Sequence, residues 1–279
     1  MHHIIFNNTP HASHWNGAPG GLLFAEIAMY YTKPHTTISD QIQLLENRGL
    51  EIPDRSIAEY YLKHISYYRL GAYWLPFESD HANHIFKPNT SFNDVLNLYV
   101  FDRELRILVM DAIERIEVSI RANWVYEITS RYGSHPHLDP QHFNQPSRNW
   151  SYYSNIQKLL NNVDRSNETF IHHLKSKYCD TLPPLWAVSE LMSFGELSHW
   201  YANTKEASLR NSIARVYGLH EQVLVSFLRH LNTIRNMCAH HSRLWNRLCT
   251  IKLMKPKGGS SELRSNINWD EEAEKNISN

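Results

Sequence analysis

Apolar residues recur at steps of three and four along most of the chain, which is the spacing of an amphipathic α-helix. The longest run covers about 92–131 and contains Val95, Leu98, Leu105, Leu108, Ala112, Ile116, Ile120 and Trp124. Shorter helical patterns predict helices at about 151–164, 167–178, 185–193, 195–203, 205–217 and 220–247. No segment alternates strictly between apolar and polar residues, and no Asn-Gly hairpin signal occurs. The sequence therefore predicts an all-α fold.

Two more helices are predicted before the longest run. The first begins at Ile38 and stops at Gly49, a residue type typical of helix C-termini. The second is capped by Asp54 or Ser56 and leads into the aromatic segment 73–77, where Pro76 terminates it. The pair can form a helix-turn-helix-like unit or serve only as packing helices. No basic stripe accompanies them, which favours packing.

Shifts in composition divide the chain into four parts. Residues 1–31 are rich in Gly, Pro and Asn and predict a poorly ordered leader, within which Met29 is an alternative start. Residues 32–90 predict an N-terminal helical subdomain and residues 91–250 the main helical domain. Residues 251–279 combine a Gly/Ser stretch with an acidic end and predict a mobile tail. The aperiodic stretch from Gly133 to Trp150 predicts a long loop.

Composition excludes several kinds of site. Lys and Arg together number 28, as do Asp and Glu, so any attraction to a polyanion must be local. Three cysteines without C-x-x-C spacing argue against a disulfide framework and a cysteine zinc site. With no membrane span and no secretory signal, a cytoplasmic location is expected. The histidines at 135, 137 and 142 lack helical spacing, so neither a metal site nor a cofactor is predicted.

The last predicted helix carries the candidate chemistry. With about 100° of rotation per residue, apolar residues fall on one side of this helix and polar or basic residues on the other. The core side takes Val223, Phe227, Ile234, Cys238, His241 and Trp245. The opposite sector takes Arg229, Asn232, Arg235, Asn236, His240 and Arg243, with Leu228 as its one misplaced apolar residue. Residues 223–247 include four arginines and no carboxylate, so this helix is strongly basic within a neutral protein.

Arg235, Asn236 and His240 form a possible phosphate-cleaving group. Asn236 and His240 lie one helical turn apart, and Arg235 flanks them. A guanidinium fits a phosphate, and an imidazole can take and return a proton near neutral pH. RNA cleavage by the neighbouring 2′-hydroxyl needs only proton transfer and charge stabilisation, so it requires no metal. The alternatives are a solvated helix face or a buried polar contact between helices. Cys238 is predicted only to pack.

The run Arg235-Asn236 followed by His240 resembles the active-site motif of the HEPN superfamily, which consists of an arginine, a polar residue and a histidine after a short spacer. Other segments resemble the abortive-infection Abi-like family of the AbiD and AbiF type, and the resemblance covers about 32–250. They are Thr37-Ile38-Ser39-Asp40-Gln41-Ile42, Arg48-Gly49-Leu50, Tyr68-Arg69-Leu70-Gly71-Ala72-Tyr73-Trp74, Asp102-Arg103-Glu104-Leu105-Arg106, Ile113-Glu114-Arg115-Ile116-Glu117 and Pro184-Leu185-Trp186-Ala187.

This resemblance implies a HEPN-like helical bundle and a metal-independent endoribonuclease of an abortive-infection or toxin-type antiphage system. Its products would carry 2′,3′-cyclic phosphate ends. Arg235 would grip the scissile phosphate, His240 would act as general acid or base, and Asn236 would position one of them. Two motif copies meet in such nucleases, so a homodimer with a composite site is expected. An inhibitory antitoxin, either a protein or a small RNA, is expected as a further partner.

Five more side chains are expected to contact RNA, namely Arg229, Arg243, Arg121, Arg115 and Glu114. Glu114 and Arg121 are seven residues apart and share a helix face, so they brace the motif helix, line the RNA groove, or form an ordinary surface ion network. Two other functions stay open. One is a non-catalytic sensor that binds RNA or a phage protein through the same basic helix. The other is an interaction protein in which the Arg/Asn/His face is a dimer contact.

Overall fold

A computed structural model describes residues 32, 34–249, 251, 253–256 and 265. It confirms the all-α class, since helices make up most of this part and two short strands form its one sheet. The predicted leader, 1–31, lies outside the described residues, as does most of the predicted tail. In the part of the chain that the structure describes, no helix combines the length and the apolar composition that crossing a membrane requires.

The first of two compact units ends at Phe101 and begins its described part with helices α1 (Ile38–Asn47) and α2 (Arg55–Ile65). A capping box starts α1, with the Thr37 hydroxyl accepting a hydrogen bond from the Asp40 backbone N–H at 3.2 Å. The Asp54 carboxylate caps α2 as predicted, accepting from the Ser56 N–H at 2.8 Å. Both helix starts therefore follow local capping chemistry.

The second predicted helix is wrong in its length. The helix ends before Ser66, and a separate helix, α3 (Tyr67–Trp74), follows. Ser66 has φ 76°, in the left-handed region that L-residues rarely occupy. Its hydroxyl accepts from the Arg69 N–H at 3.3 Å and so caps the new helix. The break turns α3 so that Leu70, Tyr73 and Trp74 enter the core of this unit.

A small antiparallel hairpin, β1 (Glu78–Asp80) with β2 (Ile85–Phe86), was not predicted from the sequence. Its turn has no Asn-Gly pair. The Asp80 carboxylate instead accepts from the backbone N–H groups of Ala82 at 2.9 Å and Asn83 at 3.2 Å.

The second unit begins at Asp102, inside the long helix α4 (Phe92–Tyr132) and later than the predicted boundary at residue 90. Its further helices begin close to the predicted positions. They are α5 (Tyr152–Arg165), α6 (Thr169–Lys177), α7 (Leu185–Val188), α8 (Phe194–Asn203), α9 (Ala207–Val216) and α10 (Glu221–Ala239). One apolar core joins them, drawn from α4, α5 and every later helix of the unit.

The predicted loop at 133–150 is irregular, as expected, but it is also part of the core. It contains two short 3-10 turns, and Phe143 and Trp150 are buried within it. Both rings contact the ring of Trp200 on α8, with centroids 4.7 and 5.4 Å from it. Nearby, the indole N–H of buried Trp124 donates to the Thr204 hydroxyl at 3.0 Å. This aromatic group fixes the loop against α8.

Candidate functional site

Helix α10 is held at its N-terminal end by polar contacts and along its length by the core. The buried carboxylate of Glu221 accepts from the Arg210 Nε at 2.7 Å, which links α10 to α9. Leu224 and Leu228 lie in the core, and α8 and α9 both pack against the helix. Leu228, the apolar residue out of place in the polar sector, is buried because a helix with two neighbours is covered over more than one stripe.

The helix ends at Ala239 rather than near 247, so the motif lies at its C-terminal end. The His241 N–H donates to the Cys238 carbonyl at 3.0 Å and the Ser242 N–H to the Met237 carbonyl at 2.9 Å. Together with φ 55° at His241, this is the Schellman arrangement that ends many helices. The position usually carries glycine, and here a histidine occupies it. His241, Arg243 and Trp245 consequently lie in the following loop and not on the helix faces predicted for them.

Arg235, Asn236 and His240 all lie within the last turn of α10 and its C-cap. The Arg235 guanidinium donates to the Asn236 side-chain oxygen at 3.4 Å, and both residues are half-buried. His240 is the C-cap residue, with its backbone N–H donating to the Asn236 carbonyl at 3.0 Å and its side chain exposed. The half-buried Arg235 cation therefore bonds the Asn236 amide, and the exposed His240 follows one turn later in the chain.

A buried charge pair on α4 anchors the loop that follows His240. Asp102 is fully buried, and its Oδ1 accepts from the backbone N–H of Leu244 at 3.0 Å and of Trp245 at 2.6 Å. Its other oxygen accepts from the guanidinium of Arg106, which is 6% exposed. The carboxylate thus supplies the acceptor for two backbone donors in a part-buried loop. We infer that this pair fixes where the chain turns after His240.

Sequence reasoning noted this pair only as part of a resembling segment and assigned it no role. A signal was present in the spacing. Positions 95, 99, 102, 106, 109 and 113 continue the apolar period of α4, so Asp102 and Arg106 occupy two core positions. A charged pair at core positions is rare unless it is bonded to something specific.

The comparisons with known proteins concern this same region. A family model described as Abi-like protein matches residues 60–246, well over half of the chain. The chain belongs to the Abi-like protein family. Searches of curated proteins and of solved structures found no match. The matched region of this Abi-like chain contains the Asp102–Arg106 anchor and the whole Arg235-Asn236…His240 motif.

The other expected RNA-contacting residues of the Abi-like chain occupy different environments. Arg229 is exposed on α10, and Arg243 is half-buried in the loop after it. Glu114 and Arg115 are exposed on α4, where Arg115 pairs with Asp111 at 2.9 Å. No contact between Glu114 and Arg121 occurs among the described residues.

Arg121 instead links α4 to the segment before α8. Its guanidinium donates to Glu117 at 2.8 Å and to the Met192 carbonyl at 3.0 Å, and Glu190 lies 3.9 Å away. The side chain is 11% exposed. These contacts join α4 to the chain before α8, and none of them is to the motif helix α10.

The loop histidines are held by separate contacts. His142 stacks on Tyr132 with ring centroids 3.9 Å apart, and His135 bonds the Ser134 hydroxyl at 2.8 Å. His137 is buried, and desolvation with the nearby His135 lowers its pKa to about 4. Among the described residues no group of three or more His, Cys, Asp or Glu side chains is arranged to hold a metal ion.

The start of the predicted mobile tail lies along α10. The Ile251 carbonyl accepts from the His230 ring at 2.8 Å, and the Met254 N–H donates to the Ser226 hydroxyl at 2.8 Å. Pro256 is buried. The first residues of the segment predicted as a mobile tail therefore contact α10 through two backbone groups.

Proposed function

We propose that this Abi-like protein is a metal-independent endoribonuclease of the HEPN type, acting in the cytoplasm in an abortive-infection or toxin-type antiphage response. The observation that carries the proposal is the grouping of Arg235, Asn236 and His240 at the end of α10, next to a loop anchored by Asp102. Family membership supports the biological setting. The chemistry of the three side chains supports the reaction.

In the proposed reaction the 2′-oxygen attacks the adjacent phosphorus while the bond from phosphorus to the 5′-oxygen breaks. The products are a 2′,3′-cyclic phosphate and a 5′-hydroxyl. Arg235 binds the phosphate and stabilises the charge of the phosphorane. The accessible His240 imidazole takes the 2′-hydroxyl proton or delivers one to the leaving oxygen. Asn236, bonded to Arg235, orients the guanidinium. No step needs a metal.

The reaction uses one group to take a proton and another to give one, whereas the motif supplies one exposed imidazole. A homodimer with a composite site would supply the second from the other copy. The solvent-facing side of α4 supports such an association, because Leu108 is 69%, Val118 55% and Ile107 51% exposed. Exposed apolar side chains on one helix are candidates for burial against a second copy.

Arg229 and Arg243 are proposed to contact the RNA strand on either side of the motif, and Arg115 and Glu114 to contact it from α4. For Arg121 the proposed role is to brace α4 against the chain before α8. A nuclease of this kind would arrest its own host, so the proposal includes an inhibitory antitoxin, protein or small RNA. The same argument makes cleavage conditional on release of that inhibitor.

The test is to incubate purified full-length protein with mixed cellular RNA in excess EDTA. His240→Ala is the inactivating variant, and His173→Ala, which removes another exposed histidine, on α6, is its matched control. We expect wild type and His173→Ala to cut RNA and His240→Ala to leave it intact. Equal cutting by His240→Ala would contradict the proposal. Binding of RNA by all three without cutting would favour the sensor function.

A further inference from the structure

A basic cavity lies beside α10, between α5 and α8. Its volume is about 460 Å³, and its walls include Arg148, Lys158, Ser154, Glu196 and His199. We call it the basic cavity. It contains none of the three proposed catalytic residues, so it is a separate feature of the surface.

The cations around the basic cavity have no carboxylate partner. Among the described residues, no Asp or Glu oxygen lies within 4 Å of the charged groups of Arg148, Lys158 or Arg229. The one acidic side chain in the walls, Glu196, already accepts from the Ser193 backbone N–H at 2.8 Å and hydroxyl at 2.9 Å. Because the whole chain is electrically neutral, this local excess of positive charge stands out.

Arg229, on α10, lines a different cavity, but its charge acts on His199 in the wall of the basic cavity. The pKa of His199 is lowered by partial desolvation of the ring, and then by the positive charges of Arg229 and Lys158. Both cations are therefore close enough to His199 to act on it through space. The group draws its members from α5, α8 and α10, and the N-terminal end of α5 beside it adds to the positive potential.

The basic cavity connects to the motif along α10. Gly195 in its wall lies against Asn232, since a Cβ atom at Gly195 would sit 3.3 Å from the Asn232 amide. Asn232 precedes Asn236 by one turn on the same side of the helix. From Asn232 to the helix end at Ala239 the distance along the axis is about 10 Å. One extended strand can therefore reach both places.

We propose that the basic cavity binds phosphates of the RNA strand whose cleavage takes place at the C-terminal end of α10. Arg148 and Lys158 supply charge from the walls, and Arg229 adds to it from α10. The hydroxyl and amide side chains of the walls suit ribose and phosphate oxygens. The inference rests on the proposed function for its substrate. The inference extends the proposed function by assigning Arg148, Lys158 and His199 to substrate binding. No sequence pattern had singled out these three residues.

The test measures binding of a fluorescent single-stranded RNA of about 12 nucleotides to full-length protein carrying His240→Ala, so that the probe stays intact. The double variant Arg148→Ala/Lys158→Ala removes two cavity cations. The control double variant Lys63→Ala/Arg215→Ala removes two exposed cations elsewhere and makes the same change in net charge. Dissociation constants are measured at several salt concentrations, and far-UV circular dichroism checks the fold of both.

We expect the cavity variant to bind about tenfold more weakly than the control. The slope of log affinity against log salt concentration is negative, and for the cavity variant it should be less steep by about 1.4. This is the change expected when two phosphate contacts to a single strand are lost. Equal affinity and slope for the two variants would overturn the inference. So would competition by AMP at the same affinity as the strand, because the cavity would then be a mononucleotide site.

The two proposals fail in different ways. If wild type cuts RNA in a His240-dependent manner but the cavity variant binds like the control, the nuclease stands and the cavity assignment falls. If the cavity variant loses affinity and slope but no His240-dependent cutting occurs, the binding site stands and the nuclease falls. If the parent protein binds no RNA at all, the cavity assignment falls whatever the cleavage assay gives.

Discussion

Replacing Asp102 by alanine tests whether the loop after His240 is held by the buried pair. The change removes a fully buried carboxylate, leaves Arg106 at 6% exposure without that counter-charge, and strips the Leu244 and Trp245 N–H groups of their acceptor. Breaking a buried ion pair from one side costs about 3–5 kcal/mol, and each orphaned donor about 1–3 kcal/mol. Since these terms overlap, we expect an overall loss of about 3–5 kcal/mol.

The matched control lies on the same helix. Asp111 pairs with Arg115 at the same i,i+4 spacing, but their side chains are 60% and 79% exposed, so Asp111→Ala should cost about 0.5 kcal/mol or less. Urea unfolding followed by circular dichroism measures both. We expect Asp102→Ala to lower the midpoint strongly, with little dependence on salt, and to lose RNA cleavage. Equal stability of the two variants would refute the anchoring role.

Three further predictions concern other parts of the molecule. Burial lowers the pKa of His137 from 6.5 to about 4, so between these pH values the unfolded chain takes up a proton that the folded one does not. Stability should therefore fall by up to roughly 3 kcal/mol as pH drops through that window, and unfolding of His137→Gln should lose this dependence. Thr204→Val removes the acceptor of the buried Trp124 indole N–H and should cost about 1–3 kcal/mol in urea unfolding, with no such loss for Thr233→Val at the part-buried surface. Arg235→Ala should abolish RNA cleavage and leave the oligomeric state unchanged in analytical ultracentrifugation; dissociation with activity retained would favour the dimer-contact function instead.

The positions of the helices followed from the sequence because apolar spacing and local caps determine them. Thr37 and Asp54 start their helices through hydrogen bonds to residues two or three positions away. Such local capping patterns are visible in a sequence. Position 66 was missed since a serine in the left-handed region carries no Gly or Pro signal. The hairpin turn at Asp80 was missed for a similar reason.

The end of α10 was missed because its causes are remote. Helical spacing of polar and apolar residues continues through Trp245, so the pattern predicts a longer helix. The loop that follows His241 is bonded through Leu244 and Trp245 to Asp102, which lies far away along the chain. The motif itself was visible from its residue types, whereas its anchor and the basic cavity needed the packing of several helices to be known.

The measurement that tests the central claim most directly is the chemistry of the fragment ends. RNA is treated with wild type and with His240→Ala in excess EDTA, and the new ends are analysed. We expect wild type alone to produce 2′,3′-cyclic phosphates together with 5′-hydroxyls, because attack by the 2′-oxygen leaves no other pair of ends. Fragments from wild type that carry 3′-hydroxyls and 5′-phosphates, or cyclic ends that persist in His240→Ala, would contradict it.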